Sequence, residues 1–291
     1  MQLTKGAIGN LINRYRAVLK KCHLLNVFGS LAVAGMLVMG GAAAAGAADS
    51  PITVEDTEKS VTVENLNITG TDKTPAIQVT NGTLTIVSTN NITLAHGSYT
   101  APDGKGEYSK MSLFTKGGTV SLNSDTLTFI ATNPTVDPPS LAGTGDNAAV
   151  LAGDSNMSID VTNLYVGSQE QGGDRGFRLV GQNNRLTIHA DKIVSYTGDE
   201  FVHVRNNAEN SIAYIGTADN HIGYFEAHTT WGKDDYGVAI LQANEGGTIN
   251  FYADTALFDG SLNDTGGVFG SGSYGTVNVN STKLTIDGNM C

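Results

Sequence analysis

Apolar and polar residues alternate in short segments along most of the chain, and the same arrangement returns several times. The clearest copy is GTINFYADTALFDG, residues 247–260, with two apolar positions two residues apart, a polar corner and a second apolar segment. Strict alternation over a few residues predicts strands with one buried side. The related copies are GTLTIVSTNNITL (82–94), GTVSLNSDTLTF (118–129), NMSIDVTNLYV (156–166), NRLTIHADKIV (184–194), NSIAYIGTADNHIGYF (210–225) and GTVNVNSTKLTI (275–286).

The spacing inside these copies predicts that each of them bends. Leu127 follows Val120 by seven residues, and the same interval separates Ala256 from Ile249. In one straight strand, residues seven apart face opposite sides of the sheet. Because both segments are apolar, we expect the chain to turn a corner between them so that both point into one core.

The distance between copies predicts a solenoid, since they begin about 26 to 37 residues apart and repeats of this length are typical of solenoids and propellers. A third apolar segment precedes each copy, which gives three short strands per turn instead of the four of a propeller blade. No segment has a helical period. We therefore predict an all-β chain: a single-stranded parallel β-helix of triangular section, with about seven to eight coils, over residues 76–291. The preceding segments are AIQVT (76–80), SLF (112–114), AAVLA (148–152), FRLV (177–180), FVHV (201–204), VAIL (238–241) and GVFG (267–270).

Residues 1–48 have the features of an export signal, and we expect them to form an N-terminal signal helix. An apolar run, LLNVFGSLAVAGMLVMG (24–40), is followed by small residues, and Ala45-Gly46-Ala47 matches the A-x-A pattern. We predict cleavage after Ala47 or Ala48. The alternative is an uncleaved membrane anchor, because the apolar run approaches spanning length. The segment contains no acidic residue, and its basic residues are Lys5, Arg14, Arg16, Lys20 and Lys21.

The leader is unusually long, with a basic extension of about 20 residues before the apolar run. NLINRYRAVLKKCHLLNVFGSLAVAGMLVMGGAAAA (10–45) resembles the extended signal regions of autotransporters and related type V secreted proteins of Gram-negative bacteria. The resemblance covers residues 1–48 by leader architecture and 60–288 by repeat style. It implies a right-handed β-helix passenger domain that is displayed at, or released from, the outer membrane.

One feature of that family has no counterpart in the sequence. Autotransporters carry a C-terminal membrane barrel, which would add alternating segments of about ten residues. The repeats here continue to TKLTIDGN (282–289), and the chain ends at Cys291. We therefore expect a passenger fragment whose outer-membrane translocator barrel is missing from this chain, or export by another route. The NPNG-like motif of two-partner secretion proteins is also absent, which makes that branch of the family a poorer match.

Other segments predict a cap and surface loops. SVTVENLNITG, within residues 49–75, predicts a shortened first coil that covers one end of the stack, whereas no equivalent segment follows Ile286. Insertions rich in Pro, Gly and charge predict loops between coils. The best candidate ligand loop is HTTWGKDDYG (228–237), because its aromatic rings beside carboxylates could hold a sugar. The alternative is that the tryptophan packs its loop onto the solenoid. The residues in question are Trp231, Asp234, Asp235 and Tyr236.

Charge limits the classes of partner. The chain has a net charge of −11, and without residues 1–48 it would have 12 Lys and Arg against 28 Asp and Glu, a net charge of −16. Such a surface repels nucleic acid and anionic lipid. Cys291 would be the only cysteine left, so we expect no intramolecular disulfide. No spacing of metal ligands is evident, and we expect neither metal nor cofactor.

Two groups of residues suggest chemistry. Gly153-Asp154-Ser155 resembles the surroundings of a protease serine, but Asn156 follows in place of glycine and the repeat pattern predicts a corner there. The second group suggests a carbohydrate-active β-helix enzyme, a polysaccharide lyase or hydrolase, if its members converge in one open groove. Those residues are His189, Asp191, Asp199, Glu200, His203 and Arg205.

Taken together, the sequence favours a secreted or surface-displayed structural passenger domain without a catalytic site. We expect it to be adhesin-like and to bind a host or bacterial surface ligand, such as a carbohydrate, through outward strand faces and inter-coil loops. Rows of Thr, Asn and Ser on the outward faces support this hypothesis, and the carbohydrate-active enzyme is the alternative.

Overall fold

The computed structural model describes residues 49–97, 111–130, 147–167, 175–198, 200–205, 207–229, 239–260, 267–272 and 274–288. All of them belong to one compact unit, 38–291. The leader, its predicted signal helix and its cleavage site at Ala47 and Ala48 lie outside the described residues. A helix able to cross a bilayer does not occur in the residues that the structure describes.

Short and long strands alternate along the chain and segregate into two sheets. The short-strand sheet has the order β1-β3-β5-β7-β9-β11-β14-β16. Its strands are β1 (Ile52–Glu55), β3 (Ile77–Thr80), β5 (Met111–Lys116), β7 (Asn147–Ala152), β9 (Arg175–Val180), β11 (Val202–Arg205), β14 (Ala239–Asn244) and β16 (Gly267–Gly272).

The long-strand sheet contains the repeated copies. Its strands are β2 (Glu58–Thr69), β4 (Thr83–Ala95), β6 (Thr119–Ile130), β8 (Asn156–Val166), β10 (Arg185–Thr197), β12 (Ile212–Ile215), β13 (Ile222–Thr229), β15 (Thr248–Asp259) and β17 (Thr276–Asp287). Both sheets contain only parallel pairs between the named strands of the described chain, and each strand pairs with the equivalent strand of the neighbouring coils. The predicted parallel β-helix is confirmed, with eight coils among the described residues. Its right-handed sense stays a prediction.

The predicted corner lies inside each long strand. In β6, Val120 and Leu122 are fully buried, Asp125 is exposed, and Leu127 is again fully buried, so the buried side changes phase at the polar residue. The structure differs from the expected three strands per coil, because the pairing with a neighbouring coil is interrupted only at the corner, as at Asp125 between β6 and β8, and resumes directly after it. The second and third apolar segments therefore form one bent strand, and the coil is built from two sheets.

One coil departs from this pattern. Its long strand is divided into β12 and β13 by a turn in which the amides and carbonyls of Thr217 and Asn220 bond to each other. On either side of the turn, β12 and β13 each pair with β10 and with β15. The inserted residues therefore loop out at the corner and leave the register of the sheet intact.

The inward-facing side chains stack in columns along the solenoid. Leu186 pairs in register with Met157 on one side and Ala213 on the other, and all three are buried. A continuous series of phenylalanine rings runs through the later coils, with centroid distances of 4.8 to 5.7 Å between successive rings. Edge-to-face pairs of this kind add stabilisation beyond the burial of their area. Phe225 occupies the centre and contacts Phe201, Phe251 and Phe258.

Polar side chains hold the turns between short and long strands. Gly153 and Asp154 have φ of 51° and 52°, a left-handed conformation that Gly, Asn and Asp adopt most readily. Asn184, which is 1 % exposed, donates to the carbonyls of Val180 and Gly181 at 3.0 Å and accepts the amide of Ser155 at 3.2 Å. These hydrogen bonds give backbone groups of the turn a side-chain partner.

The two end coils differ. In the first coil, Leu66 and Ile68 are buried, and Lys59 and Glu64 are exposed. In the last coil, Leu284 is 43 % exposed and Val277, Val279 and Ile286 are only partly buried. Within the described chain, β17 hydrogen-bonds to one neighbouring strand, β15.

Candidate functional site

The six residues of the enzyme hypothesis do not form one group. His189 and Asp191 belong to β10 of the long-strand sheet, where Asp191 is exposed at the corner and His189 contacts the amide of Asn220. Glu200, His203 and Arg205 lie in or beside β11 of the short-strand sheet. Asp199 is not among the described residues. The condition set for the enzyme hypothesis, convergence in one open groove, is not met by the described members, since two of them stand on a different sheet.

Glu200 and His203 meet in a buried cluster instead. The His203 Nδ1 lies 2.6 Å from Glu200 Oε1, and both side chains are at most 6 % exposed. The guanidinium groups of Arg175 and Arg178 approach Glu200 Oε2 to 3.5 and 3.8 Å. These residues stand on the outward side of the short-strand sheet, because Phe177 and Val202, which face the core, adjoin Arg178 and His203 along the strands. Both sides of this sheet are therefore buried around His203.

The hydrogen-bond geometry fixes the protonation state of His203. The Nδ2 of Asn244 lies 3.1 Å from Nε2, and an amide nitrogen can only donate, so Nε2 accepts and the proton is on Nδ1. Burial lowers the pKa of His203 and outweighs the opposing charge of Glu200. Burial also opposes the charge of Glu200, but the contact with His203 and the charges of Arg178 and Arg175 hold the pKa of that carboxyl far below its usual range. We conclude that a neutral histidine and a carboxylate form a structural network.

Ser155 is a corner residue, as predicted. It is fully buried, and its hydroxyl donates to the carbonyls of Ala152 and Gly153 at 3.2 Å. A nucleophilic serine needs a base that accepts its proton. Here the hydroxyl proton of Ser155 is donated to carbonyl groups of the turn. The local sequence resemblance to a protease therefore has a structural explanation.

A second cluster, which the sequence did not indicate, lies on the outward side of the long-strand sheet. It comprises Tyr196 of β10, Tyr224, Glu226 and His228 of β13, and Asp259 of β15, and we call it the tyrosine–histidine face. The parallel register aligns Tyr196 with His228 and His228 with Asp259 across three successive coils. Alternation along one strand predicts only that these residues face outward, so the sequence contained no signal that joined them.

Hydrogen bonds connect the members of this face in a line. The Tyr224 hydroxyl donates to Glu226 Oε2 at 2.7 Å, and the two His228 nitrogens lie 2.7 Å from Glu226 Oε1 and 2.8 Å from Asp259 Oδ2. Carboxylates accept only, so each of these contacts is a hydrogen bond when the ring nitrogen that faces the carboxylate carries a proton. The Tyr196 ring stacks on this imidazole with a centroid distance of 4.5 Å and an interplanar angle of 3°. Tyr196, Glu226 and Asp259 thus hold His228 in one orientation.

The neighbouring charges alter the acidity of each group. The hydrogen bond from His228 lowers the pKa of Glu226 below its ordinary value despite some burial. The pKa of Tyr224 is raised, first by its hydrogen bond to Glu226 and then by burial. Burial and the charges of Glu226 and Asp259 raise the pKa of Tyr196. Near neutral pH the face therefore presents two carboxylates and two neutral phenols.

The predicted ligand loop adjoins this face along the chain. His228 and Thr229 end β13, and the loop residues Trp231, Asp234, Asp235 and Tyr236 fall outside the residues described by the structure. Their role as a ligand loop stays a prediction. The described part of HTTWGKDDYG does contribute to a cluster of aromatic and acidic side chains, through His228.

Within the described ranges, no group of three or more His, Cys, Asp or Glu side chains has the arrangement of metal ligands. Comparisons of the chain with protein-family models, with curated proteins and with solved structures found no match.

Proposed function

We propose that this protein is an exported passenger domain of the autotransporter type, a structural β-helix that acts as an adhesin-like binding protein at the cell surface or outside the cell. Residues 1–48 would direct export through the periplasm. The outward strand faces and the inter-coil loops would contact a host or bacterial surface ligand. The acidic composition argues against nucleic acid as a partner.

The observation that carries this proposal is the outward placement of the tyrosine–histidine face on a filled scaffold. The interior is occupied by packed apolar side chains from the first coil to the last, so binding chemistry is left to the outer surface. Among the residues of the enzyme hypothesis, Glu200 and His203 are buried in a network of their own. Exposed aromatic and acidic groups on a rigid support are suited to recognition.

Expression of the full chain in a Gram-negative host tests the export half of the proposal. We expect the protein in the periplasmic or surface fraction, with a mature N-terminus at Ala48 or Asp49 by terminal sequencing. A matched chain without residues 1–48 should stay in the cytoplasm. Equal cytoplasmic retention of both chains would contradict export.

Binding of the exported form tests the second half. The purified protein is applied to a panel of host-matrix proteins, host cells and bacterial surface preparations, and we expect saturable binding to at least one. The same material is incubated with pectin and alginate. New reducing ends or unsaturated products would show that the carbohydrate-active enzyme, and not the adhesin, is correct.

A further inference from the structure

The tyrosine–histidine face has features of a carbohydrate site, and we propose that it binds a neutral oligosaccharide that lies across successive coils. This inference rests on the proposed binding function and names the class of ligand that one surface would recognise. It concerns Tyr196, Tyr224, Glu226, His228 and Asp259, which are all among the described residues.

The aromatic part of the face offers apolar contact in a polar surface. Tyr224 is 36 % exposed, and Tyr196 and Val194 lie in the neighbouring strand, where Val194 pairs in register with Tyr165 and with Glu226. In the segments of β8 and β10 that precede the bend, the outward positions are polar, as at Ser158 and Thr187. Sugars present C–H faces that pack on aromatic rings, and an amphipathic tyrosine serves such a surface without loss of solubility.

The acidic part of the face supplies hydrogen-bond acceptors in fixed positions. Each of Glu226 and Asp259 has one oxygen at 2.7 to 2.8 Å from a nitrogen of the same imidazole ring. A side chain that is already ordered loses little conformational entropy when a ligand binds, which favours affinity. Carboxylates held this way can accept further hydrogen bonds, because each oxygen has two lone pairs. Hydroxyl groups of a sugar are donors of the required kind.

The charge of the face selects against acidic sugars. Two carboxylates stand beside one imidazole, and the Lys192 Nζ lies 5.9 Å from the Tyr224 ring centroid. The sequence without its leader has a net charge of −16. Uronic and sialic acids would therefore approach against a repulsive potential, whereas a neutral sugar would not.

The geometry of the solenoid suits an extended ligand. Tyr196, His228 and Asp259 come from three adjacent coils, and neighbouring strands in a sheet are about 4.8 Å apart. Equivalent positions thus recur along the axis at an interval comparable to the length of one sugar residue. A linear oligosaccharide along this axis would meet the edges of the stacked Tyr196 and His228 rings and then the Asp259 carboxylate.

Isothermal titration calorimetry on the exported protein tests the proposal, with cellohexaose, xylohexaose and laminarihexaose as neutral probes and hexagalacturonate as the acidic probe. We expect at least one neutral hexasaccharide to bind and hexagalacturonate not to bind. Y224A and E226Q should each weaken the neutral interaction by about tenfold or more, since truncation of a central contact costs over 1 kcal/mol. Circular dichroism and the Tm verify that each variant is folded.

Y252A is the matched control. Tyr252 is an outward tyrosine of the same sheet beside His221, with ring centroids 5.9 Å apart, and the His221 Nδ1 lies 3.1 Å from Asp254 Oδ1. This variant should bind as the wild type does. The proposal is overturned if no neutral hexasaccharide binds, if the acidic probe binds more tightly, or if Y252A loses as much affinity as Y224A. Retained binding to cells or matrix in the first case would leave the adhesin function standing with another ligand.

Discussion

Removal of the Glu200 carboxylate should destabilise the solenoid strongly. Glu200 is 5 % exposed and stands beside Arg178, which is 3 % exposed, and the neutral His203. In E200A these partners remain buried while the carboxylate that faces them is lost. Breaking a buried ion pair by deleting one partner costs about 3–5 kcal/mol. For a domain of this size, about 2–4 °C accompanies each kcal/mol, so the Tm should fall by about 6–20 °C.

Urea unfolding followed by circular dichroism measures this change, with D191A as the control because Asp191 is exposed at a corner. We expect D191A to lie within about 0.5 kcal/mol of the wild type. The double variant E200A/R178M should be more stable than the sum of the single effects predicts, because an apolar pair replaces a charged pair. If E200A is as stable as D191A, the cluster is not a buried ionic network and our explanation of it is wrong.

Three further predictions concern the stability of the core, the pH dependence of the unfolding free energy and the protonation of His203. F225A should lose about 3–5 kcal/mol of unfolding free energy in a urea titration, because it opens a cavity among three rings. The control Y274A, at a site 97 % exposed, should change the stability little. Equal effects of the two variants would contradict the ring series. The pKa of His203 is lowered in the folded state, so the unfolded chain binds a proton first as the pH falls below 6.5, and the unfolding free energy should decline from there. The lowered pKa of Glu200 should extend this decline to lower pH. H203Q should flatten the upper part of this profile, and an unchanged profile would refute the assignment. Nitrogen NMR at pH 6.5 should show a neutral ring with its proton on Nδ1 for His203; an imidazolium spectrum for that ring would contradict the geometry.

The inward columns could be predicted from the sequence because their cause is local. The spacing of Val120 and Leu127 alone predicts a bend. The burial of alternate side chains does not depend on which coil is the neighbour. The position of Asp191 and the corner at Gly153 and Asp154 followed from the same pattern. Resumption of the pairing directly after the corner residues was not predictable, since side-chain alternation records which side is buried and not where the ladder ends.

The outward clusters could not be predicted because they depend on the register between coils. Tyr196 and His228 are stacked although 32 positions separate them in the sequence, and the segments between coils vary in length. His203 illustrates a second limit. Alternation indicated which of its neighbours face the core, but it could not show that the opposite side of the short-strand sheet is buried as well.

Each coil pairs with the coils next to it, and this pairing affects how many coils such a protein can contain. β8 hydrogen-bonds to β6 on one side and β10 on the other, and the columns of all three coincide at Val120, Met157 and Leu186. Removal of one whole coil would therefore bring β6 against β10 in the same register, with Val120 opposite Leu186. The architecture behaves as a string of interchangeable units, whose number can grow or shrink by duplication or loss while every remaining junction is preserved.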